Sequence, residues 1–353
     1  VKSVVFPAFV DTPNPTSLAM VTPIRCLVVV LSLFSATCLV AAEPAGSGVY
    51  HLIKKIPAGG DGGWDYLTLD SVARHLYIAR ASRVMVFDVD KETSVGEVAN
   101  TPGVHGVALV AKFDRGFASN GGDSTVTSFD LKTLAERKKI KVAGKPDAIV
   151  YDPASNQVFA FGGGKAMVID PEKEESVGTI ELGGKPEFAV SDQKGQVFVN
   201  LEDKSEVVAI DAIKREVLHH WPLAPGEEPS GLAIDRARGR LFASCGNQKM
   251  VCVDTATGKV IGDAPIGKGT DACAFDLDNH LAFSSNRDGT LTVVREADDG
   301  KLEVVQTVET QAGARTMAFD PKTHNILLVT AKAKEGQRRA FEPGTFVILV
   351  VGK

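Results

Sequence analysis

Residues 148–170 read Ala148-Ile149-Val150-Tyr151-Asp152-Pro153-Ala154-Ser155-Asn156-Gln157-Val158-Phe159-Ala160-Phe161-Gly162-Gly163-Gly164-Lys165-Ala166-Met167-Val168-Ile169-Asp170. Three apolar runs, 148–151, 157–161 and 166–169, are too short for helices and are separated by turn formers. Asp152 and Pro153 set the first turn, and Gly162 to Gly164 supply the second. A fourth run at 176–182 follows Asp170-Pro171 and is more polar, as is its counterpart Glu136-Arg137-Lys138-Lys139-Ile140-Lys141. The inner runs are apolar without clean alternation, so both their faces must be covered. The unit is one four-stranded antiparallel sheet with an exposed outer edge.

Working outward, the same unit recurs seven times at intervals of 40 to 44 residues, anchored at Asp70, Val110, Asp152, Asp192, Asp235, Asp276 and Asp320. A second series, Asp88, Asp130, Asp170, Asp211, Asp254 and Arg295, ends the third strand of the first six copies and is read as capping a turn. Tandem units of this length predict an all-β, seven-bladed propeller. The last copy has only three strands, near 315–319, 326–330 and 345–351. The missing fourth is expected from His51-Leu52-Ile53-Lys54-Lys55-Ile56-Pro57, which matches the outer-strand pattern of residues 259–265. The N-terminal strand then closes the ring on the last blade. Residues 43–353 form one domain, because each blade needs its neighbours to bury its faces.

Composition bounds the rest. The chain has 353 residues, a net charge of −5 and no long basic run, which disfavours nucleic acid as the main partner. Arg25, the apolar stretch 26–40 and Val40-Ala41-Ala42 are read as a secretory signal cleaved after Ala42. Met20 is then the start, 1–19 an extension of the gene model, and the protein is periplasmic or secreted, touching membrane only through that segment. A monomer is expected. Three cysteines lie beyond the signal: Cys252 and Cys273 on apolar strands and Cys245 in a turn, where it is expected to be the accessible one. Gly162-Gly163-Gly164-Lys165 is a hairpin turn and no phosphate loop, since Ala166 stands where Ser or Thr is needed.

The repeats resemble the YVTN-type propeller repeat, and residues 49–353 resemble secreted YncE-like propeller proteins. Phe117-Ala118-Ser119-Asn120 and Phe283-Ser284-Ser285-Asn286 carry the likeness, with Val199-Asn200 a partial match. The resemblance implies the fold. It brings no catalytic residue with it, because this scaffold hosts lyases, lactonases and binding modules alike.

Aligning the seven copies places one residue per blade where the chain enters the innermost strand: Asp65, His105, Asp147, Glu187, Ser230, Asp271 and Arg315. In a propeller these positions converge on one mouth of the central channel. The loops between second and third strands are expected to add Asn120, Asn200 and Asn286 on the same face. Gathered carboxylates repel, which raises pKa values or recruits a cation. Oxygen donors suit Ca²⁺, and His105 with Asp65, Asp147 and Glu187 would admit zinc. The long segment 331–344, with Lys332, Lys334, Arg338, Arg339 and Phe341, is a candidate lid on that face.

The expected function is therefore non-catalytic binding of a small ligand, ion or protein partner at the polar mouth. The alternative is a metal-dependent, lactonase-like hydrolase or lyase using the same residues, with Arg315 orienting substrate. A scaffold acting through blade rims is a third reading. Against all three stands a merely solvated rim.

Overall fold

The computed structural model describes residues 49–336 and 340–353. The signal segment read from the sequence, together with Arg338 and Arg339, lies outside the described residues. Among the described residues, twenty-eight strands form seven four-stranded antiparallel sheets, and six of them are simple meanders in chain order. The third copy runs Ile149–Asp152, Gln157–Gly162, Lys165–Asp170 and Glu175–Glu181. The seventh sheet is assembled from both ends of the repeat. His51–Pro57 pairs antiparallel with Val347–Gly352, which pairs in turn with Asn325–Thr330 and then Met317–Asp320. The ring is closed as the sequence predicts.

The core lies between blades. Seven apolar clusters fill the seven blade–blade interfaces. In one, Phe159, Phe161 and Val168 of blade three meet Val197, Val199, Val208 and Ile210 of blade four, all fully buried. Another carries Trp64, Leu76 and Ile78 of blade one against Val329, Phe346 and Ile348 of blade seven. Covering both faces of each sheet is what makes the inner strands continuously apolar.

Turn chemistry follows the sequence. Asp211 Oδ1 accepts the backbone N–H groups of Ile213 (3.0 Å) and Lys214 (2.8 Å), and Asp88 does the same for Asp90 and Lys91. A recurrent irregularity was not legible: in each of blades one to six the register slips once between third and fourth strands, as at Val86/Phe87 and Val168/Ile169. A bulge there twists the outer strand and blunts an edge that would otherwise template pairing.

On the face opposite the channel mouth, a blade-to-blade clasp emerges from the anchor aspartates. Arg74 reaches Asp320 of blade seven, His324 reaches Asp276 of blade six (2.9 Å), and Ser191 donates to Asp152 of blade three (2.7 Å). Among the described residues the cysteines Cys245, Cys252 and Cys273 are free thiols and all buried. Cys245 corrects the expectation of an accessible turn residue: it ends the strand Arg240–Cys245 and packs with Val251 and Leu232.

Candidate functional site at the channel mouth

Local backbone geometry aims the mouth residues inward. In blades two, four, five and six the register between first and second strands slips where His105, Glu187, Ser230 and Asp271 sit. A bulge re-aims a side chain away from the regular pleat, here toward the axis. The tetrapeptides that carry the family likeness then fix their neighbours. Asn200 Nδ2 donates to the carbonyls of Ser230 (3.3 Å) and Gly231 (3.1 Å), and Ser119 Oγ donates to Asp147 O across the blade boundary. Ser285 holds Arg315 O in the same way.

Asn120, Asn200 and Asn286 are therefore placed otherwise than as an open second tier. All three are fully buried, and the amides of Asn120 and Asn286 donate to Thr125 and Thr127, and to Thr290 and Thr292, of their own blades. They support the mouth from behind.

Six of the seven mouth residues, Asp65, His105, Asp147, Ser230, Asp271 and Arg315, are linked by contacts. His105 Nδ1 lies 2.6 Å from Asp65 Oδ2 and 3.5 Å from Asp147 Oδ1. Arg315 Nε lies 2.6 Å from Asp271 Oδ2, and its Nη2 lies 3.5 Å from Asp65 Oδ1. The Nε–H is not directed at that oxygen, so the contact is an ion pair more than a hydrogen bond. Ser230 Oγ donates to Asp271 Oδ1 at 3.0 Å. Glu187 stands apart, paired with Lys185 at 2.6 Å and sensed by Asp147 through charge. One ligand atom from each of Asp65, His105 and Asp147 falls within 4.8 Å of the others, spacing that suits one shared cation.

Burial and crowding shift the protonation of this set. Asp147 is pushed up to about 6, chiefly by desolvation, with His105 opposing and Asp65 and Asp271 adding. Glu187 rises to about 7, again by burial first, against the pull of Lys185. Asp271 is raised by burial although Arg315 holds it down. Desolvation works against a charged His105, yet the bond to Asp65 and the charge of Asp147 raise it on balance.

Sequence reasoning missed the floor of the site. Tyr66 of blade one meets Phe188 of blade four edge-on, ring centroids 4.9 Å apart. Blades three positions apart touch only across the axis, so this pair plugs the channel and makes the mouth a cup. The Tyr66 hydroxyl is held strongly protonated by burial and by the fields of Asp271, Asp147, Asp65 and Glu187. Its signal was adjacency: Tyr66 and Phe188 each directly follow a mouth carboxylate. Lys185 was also missed, although Lys-Pro-acid occurs at both 145–147 and 185–187.

The described parts of the long segment, 331–336 and 340–344, meet blade one through Phe341. Ala333 bridges Phe341, Lys334 N–H donates to Ala340 O, and Phe341 packs on Trp64 with centroids 4.5 Å apart.

No family model matches the chain. It is 25% identical to "Uncharacterized protein YncE" of Salmonella typhimurium over 242 residues, 63% of this chain and 67% of that protein. The corresponding Salmonella typhi protein is 24% identical over the same span. Among solved structures, U3-55K superposes with a TM-score of 0.71 at 7% identity, covering 86% of this chain and 99% of that one. The WD40 repeats of RRP9 give 0.71 at 7%, covering 87% and 98%. At that identity the likeness speaks for fold alone. With seven blades, a ring closed by its first strand and these relatives, the chain is a propeller repeat protein similar to YncE.

Proposed function

We propose that this propeller is a binding module whose channel-mouth cup takes a divalent cation on Asp65, His105 and Asp147, with Glu187 raising the negative charge of the surroundings. The observation that carries this reading is the convergence of those three ligand atoms within 4.8 Å above a plugged channel. Oxygen donors dominate and one imidazole is added, a set that fits Ca²⁺ or Mn²⁺ and admits Zn²⁺. Arg315 is engaged with Asp271 and Asp65, which makes it part of the wall that balances charge rather than a free clamp for substrate. Rigid blades hold such a cup with little reorganisation, which suits recognition. The signal segment read between Met20 and Ala42 supports a periplasmic or secreted setting. The test is metal analysis of purified protein beside melting shifts with Ca²⁺, Mn²⁺ and Zn²⁺. A chain that comes metal-free and melts unchanged in all three would remove this reading.

A second reading, a metal-dependent hydrolase or lyase, is favoured by Asp147 near about 6 and Glu187 near about 7, carboxyls that exchange protons close to neutrality beside an imidazole. Turnover of lactone or ester substrates that is lost with chelator would separate it from the binding module.

A further inference from the structure

Asp65 closes a stretch of chain with little stiffness of its own. Gly59-Gly60-Asp61-Gly62-Gly63 precedes Trp64 and Asp65, and three of these glycines have φ of 64°, 74° and 96°. What fastens this entrance to blade one comes from blade seven. Phe346 O accepts the N–H groups of Ala58 (3.0 Å) and Gly59 (3.2 Å). The Phe346 ring lies 3.5 Å from the guanidinium carbon of Arg80, which is fully buried. Arg80 in turn donates to the carbonyls of Gly60 (3.1 Å) and Asp61 (3.0 Å), so the glycine loop wraps it.

Trp64 is the last fastening before the mouth. Its buried indole packs on Phe341 and Phe346, with ring centroids 4.5 Å and 5.7 Å away. The indole N–H has no hydrogen-bond partner among the described residues, so ring contacts hold the side chain. A cleft of about 330 Å³ separates Gly60 to Gly63 from Lys334 and Glu342, and the Trp64–Phe341 stack joins its two sides. Phe341 itself is presented by a short ladder. Lys334 N–H donates to Ala340 O and Glu342 N–H to Lys332 O, both at 2.8 Å, while Thr345 Oγ1 donates to Glu342 O at 2.7 Å.

From Trp64 the constraint passes into the cup. The peptide plane that carries Trp64 O also carries the N–H of Asp65. Arg315 Nη2 donates to Trp64 O at 3.3 Å, and the Asp65 N–H donates to Ala79 O at 3.1 Å. The Asp65 carboxylate then meets His105 Nδ1 at 2.6 Å. Close-packed side chains transmit displacement, so an indole that tilts turns this plane and carries the carboxylate off His105.

We propose that Phe341 is a positioning residue for the channel mouth: by clamping Trp64 it sets the place of the Asp65 carboxylate, and with it the strength of cation binding. The affinity half of this inference rests on the cation reading; the placement half does not.

The experiment uses the full chain labelled with ¹⁵N-histidine, freed of metal by chelator and held at one pH. The His105 Nδ1 resonance distinguishes a hydrogen-bonded N–H from a bare ring nitrogen. Phe341→Ala should move it toward the free imidazole, and Phe341→Tyr, which keeps the ring, should leave it in place. Mn²⁺ should bind Phe341→Ala about tenfold more weakly than wild type, the loss typical when support behind a ligand is removed. Phe341→Tyr should bind it as wild type does. If Phe341→Ala does not fold, Phe341→Leu removes the stacked ring while keeping apolar volume and should shift both readouts the same way. An unmoved His105 resonance in a folded Ala or Leu variant, or an equal change in Phe341→Tyr, overturns the proposal. Wild type that binds no Mn²⁺ removes the cation reading, and the histidine resonance still decides whether Phe341 places Asp65.

Discussion

Arg74 and Asp320 join the first blade to the last by two parallel hydrogen bonds, Nη1 to Oδ1 at 2.7 Å and Nη2 to Oδ2 at 2.6 Å. Both side chains are nearly excluded from solvent. They lock the same blade interface whose other fastening is the strand His51–Pro57. Removing one partner leaves a buried charge unpaired, which costs about 3–5 kcal/mol. Arg74→Ala should lower stability by about 3 kcal/mol in urea titration, well beyond an exposed pair such as Lys132–Asp114. Burial alone would raise Asp320, but its bonds to Arg74 and Thr323 bring it below its ordinary value. The stabilisation is therefore present above the unfolded carboxylate range and lost as pH falls through the lower folded value. The wild type should show an acid-unfolding step that Arg74→Ala has already surrendered.

For the cup, Asp147→Ala combined with Glu187→Ala should abolish the melting shift produced by Ca²⁺, Mn²⁺ or Zn²⁺ while leaving the circular dichroism spectrum unchanged. A double variant that still responds fully would place the ion elsewhere.

The pH dependence runs in opposite directions with and without metal. Asp147 at about 6 and Glu187 at about 7 lie above the unfolded carboxylate range. A raised folded pKa gives stability that is present at low pH and lost as pH rises through the folded value. Metal-free protein should gain stability from these two groups as pH drops from 8 to 5, whereas cation affinity should fall over the same interval as they take up protons. Asp147→Asn should stabilise metal-free protein at pH 8 by about 1 kcal/mol, after discounting its partial exposure.

Gly121 makes room for the imidazole: a Cβ there would lie 2.8 Å from His105 Nε2 and 3.0 Å from Cδ2. Gly121→Ala should push His105 off Asp65 and weaken the metal-induced melting shift as much as His105→Ala does. Normal cation response in Gly121→Ala would show that the ring orientation is immaterial.

The thiols should be silent. Burial pushes Cys245 and Cys252 up to about 12 and Cys273 higher still. Native protein should resist a thiol-exchange reagent at pH 8 at all three positions and react there only after denaturation.

The blades were legible because turn residues and apolar runs are local signals; Asp152-Pro153 and Gly162 to Gly164 announce their hairpins without reference to any other blade. Ring closure by residues 51–57 was readable because its pattern repeats that of 259–265. The mouth was readable as an alignment column, since propeller symmetry carries one position into the same place seven times. What escaped notice depends on partners distant in sequence. Tyr66 reads as an ordinary strand residue until Phe188 arrives from the opposite side. Arg80 reads as the end of a strand until the glycine loop wraps it. Asn120, Asn200 and Asn286 lie on the expected side, but the threonines and carbonyls that bury them belong to register, which composition does not specify.

The seam between His51–Pro57 and Val347–Gly352 sets a schedule for synthesis. His51 emerges from the ribosome early, yet its partner Gly352 lies 301 positions downstream. At about 5–20 residues per second, the opening strand waits roughly 15–60 s for its mate. Once six sheets have formed and before Val347–Gly352 arrives, two flanks are unsealed, one on blade one and one on blade six. Any factor that shields nascent chains should act there, and its grip should be released when Val347–Gly352 pairs with the opening strand.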